Sequence, residues 1–147
     1  LYSLVMDTYS FGYSSSGFTD MPMNHKVFLA QFDAIKKLAS EGPCVMVGRC
    51  ADYALAEYKD CFSVFVHADT DWRISRLSQK HNKTAKEAKD MINKTDKSRS
   101  SYYNYYTNKK WGAAASYNLC VDSSKLGIDG AAKAIIQAIE IFDSMKK

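Results

Sequence analysis

The amino-acid sequence predicts an α/β protein built on a parallel sheet with flanking helices. Two observations predict it. Three short apolar runs, at residues 44–47 (CVMV), 62–67 (FSVFVH) and 118–121 (NLCV), have the length and character of strands buried on both faces. The segments between them carry helical periodicity with cap and stop signals, not hairpin turns. Strands joined through helices pair in parallel with right-handed crossovers. Ligands of such sheets sit outside the carboxyl ends of the strands.

Residues 1–9 read as the end of a helix, with Leu4, Val5 and Met6 apolar. Residues 10–23 (SFGYSSSGFTDMPM) read as a loop; they lack the GxxxxGK(S/T) spacing of a phosphate cradle. Asn24 can cap a helix to about Ser40, with Phe28, Phe32, Ile35 and Ala39 on one face. Gly42 and Pro43 stop it before the first strand, which ends in Gly48 and Arg49. Residues 50–57 can form a short helix and 58–60 a turn. After the second strand, Asp69 or Thr70 caps a helix running to about Lys80. Asn82 and Lys83 break it. Thr84 caps the next helix, with Ala85, Ala88 and Ile92 as its apolar seam, and a tyrosine-rich segment SYYNYYTNKKWG follows. Beyond the third strand, Asp129 caps a last helix whose Ala134, Ile135, Ala138, Ile139 and Phe142 face a core. The three strand ends are therefore Gly48-Arg49, Ala68-Asp69 and Asp122-Ser123.

A chain of 147 residues, 46% apolar and 24% charged, is large enough for one soluble domain with a core. No apolar run approaches a membrane span, and no signal-peptide pattern is visible. The chain opens on LYSLVM, already amphipathic and without an initiator methionine, so the true start is expected upstream. Cys44, Cys50, Cys61 and Cys120 form no CxxC pair, and His25, His67 and His81 give no metal-ligand spacing. The thiols are expected to be reduced, as in a cytoplasmic protein, with Cys44, Cys61 and Cys120 acting as small hydrophobes in or beside strands.

Charge is uneven. Between Arg73 and Lys110 there are eleven cations and three anions, although the whole chain carries only +4. Such a lobe is either a solvated helical face or a surface that meets phosphate. Lysine is spread along the chain, whereas the four arginines, Arg49, Arg73, Arg76 and Arg99, all lie between residues 49 and 99. Arginine offers a planar fork suited to phosphate, which lysine does not. Arg73 and Arg76 stand at i and i+3 on a helix and can grip a polyphosphate from one side; a surface helix can also carry such a pair by chance. Arg49 follows a glycine at a strand end, where a ligand can approach the backbone. Asp96 and Arg99, again i and i+3, are either an intrahelical ion pair or two groups facing a ligand. Tyr102, Tyr103, Tyr105 and Tyr106, ahead of Lys109, Lys110 and Trp111, either pack or stack nucleobases.

The blocks GPCVMVGRCADYAL, VFVHADTDWRISRL, INKTDKSRSSYYNYYTNKKWG and YNLCVDSSKLGIDG together resemble the cytidylate kinase-like proteins of the nucleoside monophosphate kinase group, over nearly the whole chain. The last two blocks are the most specific. The resemblance implies a three-layer P-loop NTPase-like parallel sheet with flanking helices, in a single domain over residues 1–147 with a helical lid at about 77–112. It implies transfer of the γ-phosphoryl group of ATP, with Mg²⁺, to a nucleoside monophosphate, cytidine being one candidate base. By the same resemblance Arg49 holds the acceptor phosphate and Arg73 and Arg76 meet ATP. Asp96 and Arg99 face the acceptor or the transferring phosphate. Arg76, Asp96 and Arg99 are the implied catalytic residues. Lys94 stands where an arginine is common in the wider group, giving a point charge without the fork.

The family's P-loop, with its strand and helix, is absent and is expected upstream of Leu1, so that this chain is a partial record of a larger protein and is inactive by itself. In the family's topology that strand lies between the runs at 44–47 and 62–67, and without it both keep unpaired inner edges. Two other functions stay open: a noncatalytic nucleotide-binding or sensing module, and a single-stranded nucleic acid binder using the basic, tyrosine-rich lobe. Nucleic acid is the least favoured partner, and no membrane partner is expected.

Overall fold

A computed structural model describes residues 21–146 of the chain. The expected helix end at 1–9 and most of the loop at 10–23 lie outside the described residues. The chain divides into two units, Leu1–Lys59 and Asp60–Lys147.

In the first unit, α1 (Met21–Glu41) begins earlier than Asn24, which lies inside it. Pro22 falls in the first turn, where a missing N–H leaves no helical bond unmade. Phe28 and Ile35 are buried, as their spacing predicts. The Phe32 ring bridges onward, 6.0 Å from Phe28 and 6.2 Å from Tyr53, joining α1 to α2 (Ala51–Ala54). Residues 44–47 form no strand. They pair with no strand among the described residues, and Val45 and Val47 are 92% and 87% exposed. An apolar run becomes a strand only where its N–H and C=O groups find a neighbour. Cys44 is accordingly exposed, not the buried hydrophobe expected.

The second unit holds the sheet. β1 (Val64–His67) pairs in parallel with β2 (Leu119–Asp122), Phe65 opposite Cys120 and His67 opposite Asp122. Both runs and their parallel sense were predicted. Burial on both faces was not realised: Val66 and His67 are exposed, because a two-stranded sheet leaves a long edge open. The fold is thus mixed α/β and mostly helical, with a small parallel sheet.

α3 (Thr70–His81) is capped by Asp69, whose Oδ1 accepts from the N–H groups of Asp71 and Trp72 at 2.9 and 3.3 Å. It ends at Asn82 in the left-handed conformation. α4 (Ala85–Thr107) starts in a capping box: Glu87 N–H donates to Thr84 Oγ1, and Thr84 N–H donates back to Glu87 Oε2. The helix runs straight through the tyrosine segment, since nothing before Asn108 breaks it. Its seam is Ala88, Ile92, Tyr103 and Thr107; Ala85 is exposed. Asp122, not Asp129, caps α5 (Ser123–Ser144), which kinks at Gly127 (φ 68°, ψ 175°) and resumes with Asp129 already in the helix. Ala134, Ile135, Ala138 and Phe142 are half-buried as predicted, while Ile139 is just exposed.

Candidate functional site

Parallel pairing brings two strand ends together. At this carboxyl edge the caps of α3 and α5 interlock. Ser123 Oγ donates to the carbonyl of His67 at 3.0 Å, and the Asp69 N–H donates to Ser124 Oγ at 3.1 Å. The Asp122 carboxylate accepts from Ser124 through both the hydroxyl and the backbone N–H. The Ser124 hydroxyl is the main reason the Asp122 carboxyl sits below the usual range; desolvation opposes it, and His67 and Lys125 add to the lowering. Each cap thereby holds the start of its own helix and, through Ser124, the other strand end.

Arg73 lies one turn beyond this edge, its N–H bonded to the Asp69 carbonyl at 3.0 Å. Its guanidinium makes a two-pronged contact with Asp96 on α4, Nη1 to Oδ2 at 2.7 Å and Nη2 to Oδ1 at 2.8 Å. The side chains are 30% and 27% exposed. Both oxygens of Asp96 are therefore directed to Arg73, 23 residues away, and not to Arg99 at i+3. Arg76 does not stand beside Arg73 as a second free fork: its guanidinium lies over the Trp72 ring, 5.5 Å from the centroid, in an exposed position. Arg99 is exposed on α4.

The turn at residues 82–84 sends α4 back along α3, with Asp96 level with Arg73. At 1.5 Å rise per residue, Arg76 lies about 4.5 Å toward the hairpin turn from that pair, and Arg99 about 4.5 Å toward the sheet edge. An acid–base clasp flanked by two exposed guanidinium-bearing positions is an arrangement that can take a multiply charged anion.

Arg49 belongs to the first unit. It is half-buried and left-handed (φ 57°), in a run with Gly48 (φ 71°) and Cys50 (φ 56°). Non-glycine residues in that region cost about 1 kcal/mol each, which marks a turn held for a reason. The tyrosines mostly pack. Tyr103 is buried and stacks on Tyr117, Tyr102 packs on Tyr106 at 4.8 Å, and Tyr105 meets Tyr106 edge-on at 4.9 Å. A buried Tyr103 ring is no platform for a nucleobase.

The role of Asp122 as a cap was missed in the sequence. The signal was present, an Asp-Ser-Ser following an apolar run, but Gly127 interrupts the helical pattern and moves the apparent start to Asp129.

The model of the cytidylate kinase-like family matches residues 1–125, and the chain belongs to that family. A crystal structure of an uncharacterized protein from Eubacterium ventriosum ATCC 27560 is similar, with a TM-score of 0.76 and 32% identity, covering 80% of this chain and 74% of that one. No curated protein matches the chain. Family membership supports a kinase-like function with nucleotide substrates. No helix among the described residues is long and apolar enough to cross a membrane.

Proposed function

We propose that the chain belongs to a nucleoside monophosphate kinase-like phosphotransferase. It moves the γ-phosphoryl group of ATP to a nucleoside monophosphate, with CMP the first candidate. The observation that carries this reading is the arginine-bearing α3–α4 hairpin following the carboxyl end of a parallel strand, in a member of the cytidylate kinase-like family. Residues 1–147 are read as one nucleoside monophosphate kinase-like domain with a three-layer P-loop NTPase-like sheet and a lid at about 77–112, acting in the cytoplasm.

The donors present fit a polyphosphate. Exposed guanidinium groups supply planar, permanently charged forks, and phosphoryl transfer asks a protein mainly for positioning and charge neutralisation. Arg73 and Arg76 are assigned to ATP. Arg49 is assigned to the acceptor phosphate, and Asp96 and Arg99 to the acceptor or the transferring group. Mg²⁺ bound with ATP would neutralise charge on the phosphates. Such an ion takes most of its ligands from phosphate and water, so a protein cluster of three ligating side chains, absent among the described residues, is not required.

A coupled assay of the full-length protein with ATP, Mg²⁺ and each of CMP, dCMP, UMP and AMP tests the reading. Turnover of at least one is expected; turnover of none, with ATP bound, leaves a noncatalytic nucleotide-binding module instead. Arg76→Ala should lower kcat/KM for ATP about 10- to 100-fold, the range for losing a charge-assisted contact. Its melting temperature should stay close to that of the wild type, because Arg76 is exposed. A large loss of stability with full activity per folded molecule would make Arg76 structural.

A further inference from the structure

Arg73 stands one turn from the edge where a parallel sheet places its ligands, yet both terminal nitrogens of its fork are occupied by a carboxylate. Three features make this contact replaceable. Both side chains remain nearly one-third exposed, so a dissolved anion reaches the pair without crossing a core. α3 has no fully buried residue, so the fork adds to a contact with α4 that no deeply buried α3 side chain anchors. The connection is a turn at residues 82–84, with Asn82 left-handed between two capped helices. A phosphate offers the same fork geometry as a carboxylate with more charge.

We propose that Asp96 is a displaceable stand-in for phosphate: a polyphosphate anion takes Arg73 from Asp96, and nucleotide binding thereby releases α4 from α3. The proposal rests on the nucleotide reading above and adds to it a coupling between ligand and hairpin. Until the anion arrives Asp96 acts as a positioning residue through Arg73; once displaced it is free for the acceptor or transferring group assigned to it above. Its effect on anion affinity is then opposite to that of a ligand-holding group, because removing the competitor strengthens binding.

The test is calorimetric titration of the full-length protein with inorganic tripolyphosphate and, separately, ATP, together with hydrogen exchange over α4. Asp96→Asn should bind tripolyphosphate about fivefold tighter than the wild type, the scale of one exposed ion pair. Asp90→Asn, which removes the same charge from an exposed position on α4, should change affinity by less than about twofold, since distant surface charges are screened. Saturating tripolyphosphate should accelerate α4 exchange in the wild type, and Asp96→Asn should exchange fast without ligand.

Equal or weaker binding by folded Asp96→Asn, or an equal gain in Asp90→Asn, overturns the proposal. If Asp96→Asn does not fold, wild-type exchange decides: acceleration across α4 supports displacement, and unchanged or slower exchange overturns it. Anion binding with unchanged α4 exchange removes the latch alone and leaves the nucleotide reading standing. No binding of either anion to the wild type removes both.

Discussion

Burial pushes the Cys50 thiol up to about 12, with the Asp52 carboxylate adding to the shift. Only the thiolate alkylates, so Cys50 should be inert at pH 8 while exposed Cys44 reacts. Iodoacetamide labelling of the native protein, read by peptide mass spectrometry, should place the first adduct on Cys44 and the last on Cys50. Two glycines separate backbone cost from steric cost. At Gly48 (φ +71°) a Cβ meets nothing within 4 Å, so Gly48→Ala should cost only the left-handed conformation, about 1 kcal/mol. At Gly112 (φ +75°) a Cβ would lie 3.1 Å from the Phe65 ring. That ring is wedged between Trp111 at 5.3 Å and Tyr117 at 5.0 Å and has little room to give. Gly112→Ala should therefore lose about 1–3 kcal/mol beyond the backbone term. Urea unfolding of the two variants checks the difference.

Among the elements, α4 carries a full capping box in its first turn. Thr84→Ala removes one arm of the capping box and should lower stability by about 1 kcal/mol. The Glu87 carboxyl is held below its usual range by the Thr84 backbone N–H and then its hydroxyl, with Lys83 assisting against desolvation. The Ser124 hydroxyl does the same for Asp122 at the start of α5. Both folded-state values are lower than the unfolded ones. Their contribution is therefore complete above the unfolded carboxylate pKa of about 4 and is lost as pH falls through the folded values. Thermal unfolding followed from pH 7 to pH 3 should show the loss setting in below about pH 4, and Glu87→Gln should show a smaller acid drop. At this scale most helices were legible from caps and periodicity: Asp69, Thr84 and Asn82 each sit where their side-chain chemistry predicts. The extension of α4 through SYYNYYT was not, because tyrosine has modest helix propensity and gains its place by packing on Tyr117 and its own neighbours.

For the molecule as a whole, the α3–α4 hairpin carries six of the eight excess positive charges between Arg73 and Lys110, and Lys109 and Lys110 just beyond it carry the other two. If that lobe receives nucleotide, ATP affinity should fall severalfold between 50 and 300 mM KCl, as the screening length shrinks from about 14 to about 6 Å. Affinity independent of salt would assign the charges to solubility. The proposed ligand residues are distributed in a way the linear sequence conceals. Arg73 and Arg76 looked like one gripping pair, yet the fold gives Arg73 to Asp96 and lays Arg76 over Trp72.

The sequence alone was enough for the class of the fold, the two paired strands and their parallel sense, and the caps of α3 and α4. These rest on local chemistry: a cap bonds within three residues, an apolar period repeats every few, and helical connectors force parallel strands. Tertiary structure was needed for everything that depends on a distant neighbour. It left residues 44–47 without a strand partner among the described residues, joined Arg73 to a carboxylate 23 positions on, buried Tyr103, and capped α5 with Asp122. A hydrogen-bond ladder, an ion pair and a buried ring each require a second group, and residue spacing does not reveal which distant group will arrive.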